Sequence, residues 1–521
     1  MAPDDEPVHD EVDPFLSDSC SESQAPSKSL STPLPIGQLT ALCTVRLVDP
    51  IVFTQLFPYV NDFISDLHLT DDSSRIGFYS GLVESSFAIS QLCSIYLWAK
   101  LSDIIGRKPV ILTGTLGTAL ATLGFGLSKS LAGILFARGL GGLFSGDLAV
   151  IHSILGEITD STNQARAIPF YTLMWPVGSV VGLVTCALVA YDRLTMRIIY
   201  HSPLIGGTFA HAASKYPDLF GYAIFEKYPY FCPCLLSATI AFVGVLLGFV
   251  FLEETLPSKR RRNNAKCTAS VPSLDTGLPI QDHKSMSLKE VLSSPAISAL
   301  VSSGFSLSFV YTSFDVVFVL FCYSPVHSGG LAFSVSKIGW SLAIAGCISS
   351  TLQLFFMPYL LRTFDCAKMY VFSMGMWPFV YFFIPFLNLI ARWGFAEDGK
   401  VGDKVVVILW IGIAITLGLS KIGSLAYSTS IILVKEHSPN PGALSQSNGI
   451  VQFAMCFARS FAPFLVSSLF ALSIDNKLLW GYLWAVVMIC ISTVSGIDAR
   501  RILSHRKRQP HEEWQMTSRH L

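Results

Sequence analysis

Charge is scarce in this chain. Of its 521 residues only 14% are charged, against 51% hydrophobic, whereas soluble domains carry roughly 25% charged residues. That deficit excludes an ordinary soluble globule, and a mean hydropathy of +0.52 puts most of the chain in lipid. Acidic and basic residues balance at 36 each, so there is no net positive field for nucleic acid. The twelve cysteines show neither disulfide nor metal-ligand spacing and fall mostly in apolar runs, where a thiol acts as a small hydrophobe. Cys232-Pro233-Cys234 has no third or fourth ligand nearby, so packing is expected there and no metal. The sequence holds no N-x-[S/T] sequon and no G-x-x-x-x-G-K-[S/T] phosphate loop. No Ser/His/Asp set recurs at a membrane face, so neither an enzyme nor a bound cofactor is expected. A cleavable signal peptide is also missing. Residues 1–37 are acidic, rich in Ser and Pro and without an apolar core, which predicts a disordered cytoplasmic tail.

Long apolar runs are what the sequence has instead. Twelve are expected to cross a hydrocarbon core of ~30 Å as helices. The first six lie near 38–60, 77–98, 109–128, 131–155, 167–190 and 232–252. The second six lie near 296–322, 337–361, 367–391, 405–433, 445–472 and 478–498. This predicts an all-α polytopic membrane protein of twelve transmembrane helices in two six-helix, pseudo-repeated bundles, 38–252 and 296–498. A linker over 253–295 carries Lys259-Arg260-Arg261-Arg262, and a basic tail covers 499–521. Lys and Arg gather in the linker, the C-terminal tail and the turns around Lys100 and Lys368, so both termini are expected in the cytoplasm. The long loop 191–230 falls on the other side, although Arg193, Arg197, Lys215 and Lys227 run against that bias.

One stretch organises the pattern: Trp98-Ala99-Lys100-Leu101-Ser102-Asp103-Ile104-Ile105-Gly106-Arg107-Lys108-Pro109. Between two apolar runs it reads as a tight turn at the cytoplasmic face. Asp103 can accept from backbone N–H groups or from the Arg107 guanidinium, and Gly106 permits the bend. The stretch resembles the loop between helices 2 and 3 of the major facilitator superfamily, G-x-x-x-D-x-x-G-R-[K/R]. Asp103, Gly106, Arg107 and Lys108 match, and Ala99 replaces the first Gly. The resemblance implies a gating loop that locks the cytoplasmic ends of the two halves. Its expected second copy, Pro358 to Lys368, keeps only the basic character.

Charges within apolar spans are costly and usually face a cavity or a partner. Arg46 and Asp49 are three apart on the first span, so they can pair, and Pro50 frees a backbone carbonyl after them. Glu84 lies inside the second span with Gln91 on the same face, which makes Glu84 a candidate proton carrier. Arg138 and Asp147 share the fourth span but lie nine apart, on opposite faces. Arg138 with Gly142 resembles the superfamily's fourth-helix R-x-x-x-G motif, which implies a cavity-facing arginine. In the second half Asp315 follows Tyr311 at i+4, Lys421 interrupts an apolar run and needs a partner, and Arg459 completes the set. For each, charge pairing that fixes helix register is the competing explanation.

Four stretches narrow the resemblance: Arg46-Leu47-Val48-Asp49-Pro50-Ile51, Gly77 through Ser85, Glu157 through Ala167, and Lys227 through Leu235. Together they look like the zinc-induced-facilitator-like group and its fungal relatives, within the drug:proton antiporter-type facilitators. Two features depart from it. The helix-five motif G-x-x-x-G-P-x-x-G-G here reads Gly178 through Ala187 without its Pro and final glycines, and the linker has a single histidine, His283. The function implied is secondary transport of a small organic solute by alternating access, with protons as a candidate coupling ion, in the plasma or vacuolar membrane. A non-transporting sensor or scaffold on the same fold is the alternative.

Overall fold

The structure is a computed structural model. It describes residues 32–56, 59–68, 73–160, 162–184, 221–256, 259, 288–333, 335–394, 403–440 and 443–506. The acidic N-terminal stretch before Thr32, most of the 191–230 loop, the linker arginines, His283 and the tail past Arg506 lie outside those residues.

Among the described residues every regular element is helical. The first half holds α1 (Ile36–Thr54), α2 (Ser73–Ile105), α3 (Arg107–Gly126), α4 (Leu131–Ile158), α5 (Gln164–Val184) and α6 (Phe231–Phe251). The second half holds α7 (Pro295–Tyr323), α8 (335–363), α9 (Cys366–Trp393), α10 (Asp403–His437), α11 (Leu444–Asp475) and α12 (Leu483–Arg506). Ten of these contain a stretch long and apolar enough to cross a membrane; α2 and α5 are the other two. Even the shorter of that pair, with 21 residues, reaches about 31 Å at 1.5 Å per residue.

Several boundaries depart from the hydropathy reading. The tight turn expected within 98–109 narrows to one residue: α2 continues to Ile105, and Gly106 alone makes the bend at φ 114°. α12 runs past 498 to Arg506, helped by the Asp498–Arg501 pair at i,i+3 and 3.2 Å. α1 stops at Thr54, short of 60, and a separate short helix covers Val60–Asp66. α4 tightens into a 3₁₀ turn at Ser145–Asp147, and α8 widens into a π turn at Leu352–Phe356.

Close packing follows small residues. A Cβ on Gly142 of α4 would sit 2.2 Å from the Phe87 carbonyl oxygen of α2. One on Gly178 of α5 would sit 2.4 Å from Pro50 Cγ of α1. Each glycine therefore fixes how near two backbones come, the usual device where lipid removes the hydrophobic drive between helices. In the first half α1 packs on α5 and α6, α3 on α4 and α6, and α2 on α4. In the second, α7 packs on α11 and α12, and α9 on α10 and α12. Across the halves α11 lies against α2 and the last part of α4, and α8 lies against α5. Phe136, Leu246, Phe249, Phe355, Phe464 and Val494 point outward, as side chains facing hydrocarbon do.

Candidate functional site

The charged end of the bundle is built on Arg107, whose side chain is 1% exposed. Its Nη1 donates to Asp103 Oδ1 at 2.6 Å and to Ser102 Oγ at 2.7 Å. Its Nη2 and Nε donate to Glu157 Oε1 at 3.0 and 3.2 Å. A guanidinium can satisfy both carboxylates because its donors form a rigid fork. Glu254, just beyond α6, closes the other side: it accepts from the backbone N–H of Arg107 at 2.8 Å and of Lys108 at 3.3 Å. Those are free donors at the first turn of α3, where a carboxylate is favoured. Gly106 is needed for space as well as φ, since a Cβ there would meet Glu254 Oε2 at 2.4 Å. Lys108 donates to the Phe249 carbonyl at 2.8 Å. Asp365, in the second copy of the loop, caps α9 by accepting from Ala367 N at 3.0 Å.

From this end a seam of hydrogen bonds joins the halves and runs to the middle of the bundle. Ser102 and Ser445 hydroxyls lie 3.3 Å apart, and Ser445 donates to the Ala99 carbonyl at 3.0 Å. Lys435 of α10 donates to the Thr159 carbonyl. Deeper, Asn448 donates to Ser153 Oγ at 3.2 Å, and Gln452 Nε2 lies 3.1 Å from His152 Nδ1. Thr172 of α5 donates to Gln353 at 2.8 Å, in the π turn of α8. No Cβ fits comfortably between α2 and α11 at Gly449, where it would lie 2.9 Å from Ala99 Cβ.

At mid-bundle the seam meets charge. Arg46 Nη1 and Asp49 Oδ2 pair at 2.8 Å, as their spacing predicts. Ser145 donates to Asp49 Oδ1 at 3.3 Å, and Gln91 Nε2 donates to the Ser145 carbonyl and hydroxyl, each at 3.1 Å. Gln91 Oε1 accepts from the Cys456 thiol at 3.7 Å, and Arg459 Nη2 donates to that same sulfur at 2.8 Å. A path of polar groups thus links Arg46 on α1 with Arg459 on α11. The Arg46 guanidinium lies over Trp175 and Tyr171, 5.2 and 5.8 Å from their centroids. Asp147, turned inward by the 3₁₀ turn, faces Asp49 and Arg46. Asp49 alone bonds the guanidinium, and Asp147 is a second buried carboxylate near it.

Arg138 and Asp147 do diverge. Arg138 lies over Phe87 at 4.6 Å, and its Nε and Nη2 are buried without a hydrogen-bond partner. Glu84 of α2 is its principal charge neighbour, with no ion pair formed between them among the described residues. Arg138, Phe87, Gln55 and Tyr59 line a cavity of about 10 Å³, room for about one water. In the second half Lys421 and Asp315 are charge neighbours, with no ion pair formed between them among the described residues. The Lys421 ammonium sits 5.4 Å from the Tyr311 ring centroid, and Trp377 and Tyr427 stand edge-on to that ring.

Sequence reasoning did not find the roles of Glu254, His152, Gln452, Tyr171 or Trp175. Only Glu254 left a signal, as one of two acidic residues immediately after an apolar span. Cys232 and Cys234 are buried at the start of α6, where Cys234 packs against Gly126.

Residues 42–463 match the Major Facilitator Superfamily. The chain is 37% identical to the "Major facilitator-type transporter psiT2" of Psilocybe cyanescens over 96% of its own length and 97% of that protein's. It is 29% identical to "Protein ZINC INDUCED FACILITATOR-LIKE 1" of Arabidopsis thaliana, over 61% of this chain and 63% of that one. Among solved structures, the human organic anion transporter MFSD10 (TETRAN) shares the fold with a TM-score of 0.59. That likeness covers 90% of this chain and all of that one at 16% identity.

Proposed function

This chain belongs to the major facilitator superfamily, and we propose that it is a secondary transporter moving a small organic solute by alternating access. It is an integral multi-pass membrane protein of a transporter family. The observation that carries the reading is the seam. Its hydrogen bonds run from the Gly106 end to the middle and stop at the Arg46–Asp49–Arg459 polar path. A cargo seated at that path would be shut off from one side by the seam. Parting of the seam would expose it to that side, as alternating access requires. The residues best placed to meet cargo are Arg46, Asp49, Asp147 and Arg459 at the seam's inner end, with Asp315 and Lys421 beside Tyr311.

Protons are the candidate coupling ion, and Glu84 is the candidate carrier. Its neighbour Arg138 could alternate between the Glu84 carboxylate and a neutral environment as the proton comes and goes. The loop of Asp103, Gly106, Arg107 and Lys108 would act as the gate. Both termini and the linker are assigned to the cytoplasm, in the plasma or vacuolar membrane, as the distribution of Lys and Arg favours.

Purified protein in proteoliposomes should accumulate a small organic solute that empty vesicles do not, with the solute chosen by metabolite profiling of cells lacking or overproducing the chain. Folded protein with no flux of any profiled solute would replace the transporter reading with the sensor or scaffold. Tags near Ser273 and Ser214 should be reachable from opposite faces; labelling of both from one face would overturn the topology.

A further inference from the structure

Thr32 holds the segment ahead of α1 by hydrogen bonds, while Leu34 rests on the first-half core. Thr32 is exposed and outside any helix, and α1 begins at Ile36. Its hydroxyl donates to Asp160 Oδ2, accepts from Asn163 Nδ2 at 3.3 Å and lies 3.0 Å from Thr162 Oγ1. Its backbone N–H donates to Thr162 Oγ1 at 3.2 Å. All of these partners belong to the turn between α4 and α5. That turn also receives Lys435 from the other half, through the Thr159 carbonyl. The tail and the seam therefore hold the same few residues from two sides.

Pro33 follows Thr32, and Pro35 follows two residues later. The chain has four other Ser-Pro steps, at Ser202, Ser294, Ser324 and Ser438. Ser202 lies outside the described residues. Ser294 sits between a short helix, Leu288–Ser293, and α7. Ser324 immediately follows α7 at the far end of the bundle and donates to the Leu320 carbonyl at 2.8 Å. Ser438 directly follows α10 and donates to the Asn440 carbonyl at 3.3 Å. A kinase cleft takes its substrate in extended form, and residues 32–35 are free of helix; prolines also hold such a stretch extended.

We propose that Thr32 is a phosphorylation site for a proline-directed protein kinase, and that the phosphate releases the N-terminal segment from the α4–α5 turn. Thr32 Oγ1 attacks the γ-phosphorus of ATP. The new O–P bond forms as the β,γ-phosphoanhydride breaks, ADP leaves, and the hydroxyl proton passes to the kinase's base. The product carries about −1.5 to −2 charges at pH 7 and no longer donates. It then opposes the Asp160 carboxylate that the hydroxyl had satisfied. Release takes away one hydrogen-bonded support of the turn from outside it and leaves the Lys435 contact in place. In the cell this rests on the cytoplasmic assignment of the tail.

The test uses the full chain in detergent, where both faces are open, so that failure speaks against the site and not against the orientation. The protein is treated with ATP and a proline-directed kinase, then followed by mass spectrometry and amide exchange. Phosphate should appear on Thr32 and be absent there in Thr32→Val. Exchange of the Thr32 amide, which donates to Thr162 Oγ1, should speed up about ten-fold, corresponding to a shift of ~1.4 kcal/mol in docking. In Asp160→Asn, which lacks the opposing charge, the same phosphate should change exchange by less than about three-fold. Phosphate on Ser294 or Ser438 but not on Thr32 would overturn the proposal. So would a modified Thr32 whose exchange is unaltered.

Discussion

Adding a single methyl group at Gly449 should open the seam. A Cβ there lies 2.9 Å from Ala99 Cβ and 3.7 Å from Tyr96 Cδ2, where carbon atoms prefer roughly 3.5–4.0 Å. Ala99 has no rotamer with which to withdraw, so relief requires α2 and α11 to move apart. Overpacking of this kind costs about 1–3 kcal/mol, and the cost falls only on the conformation in which the helices touch. The gain in helix propensity, about 1 kcal/mol for Gly→Ala, enters both conformations and cancels. At 1.36 kcal/mol per decade, the closed-to-open ratio should fall by about five-fold to somewhat over a hundred-fold. Spin labels on the exposed Lys100 and Pro439, one on each half, would report the change as a longer distance population. Gly375→Ala is the control, because a Cβ there meets nothing within 4 Å. A distance distribution in Gly449→Ala that matches both the control and the unsubstituted protein would refute the reasoning that this contact belongs to one conformation.

Glu84→Gln keeps shape and hydrogen bonding but cannot ionise, so it should abolish the dependence of solute accumulation on a pH gradient while sparing solute exchange. An unchanged pH profile would remove Glu84 as carrier and leave Asp49, Asp147 and Asp315. Asp103→Asn weakens a charge-assisted bond to Arg107 worth ~1.5–3 kcal/mol; membrane abundance should be normal and flux slower, and normal flux at normal abundance would deny the loop its gating part. The Asp160 carboxyl is held at about 2, below its usual 3.8, by the Thr162 hydroxyl first and that of Thr32 next. A depressed acid stabilises its contacts fully above the ordinary value and loses them as pH falls through the lower one. Protection of the Thr32 amide, measured against the intrinsic exchange rate at each pH, should therefore be steady down to about pH 4 and fall towards pH 2; loss beginning near pH 6 would contradict it.

What could be read from the sequence was local. Arg46 and Asp49 pair because three residues along a helix is nearly one turn. Gly106 bends the chain where an L side chain would be strained. Lys421 was recognisable as needing a counter-charge nearby, but nothing in the order of residues named its charge neighbour Asp315, 106 positions earlier. Arg107 and Glu157, or His152 and Gln452, meet only after helices pack, so neither spacing nor hydropathy carries the pairing. Helix ends differ from the ends of the apolar runs for a different reason. Hydropathy marks where the apolar run ends, and α2 and α12 continue as helices beyond it, through Ser102-Asp103 and through Asp498-Arg501. The 3₁₀ turn that aims Asp147 is likewise silent in composition, because Ser145-Gly146-Asp147 is compatible with several backbone paths.

Beside apolar contacts such as Leu444 on Gly156 and Ile432 against the first-half core, the seam holds hydroxyls, amides, an imidazole and an ammonium. Each of those bonds has a ready substitute in a water molecule, and a protein hydrogen bond exchanged for one to water changes the free energy by only ~1 kcal/mol. A seam of leucines would instead expose apolar surface at about 25 cal/mol per Å². The polar part of the seam therefore opens by hydration, with water taken up at each bond that parts. Osmolytes that lower water activity without entering the membrane should hold the halves together, in proportion to the number of waters the open seam binds.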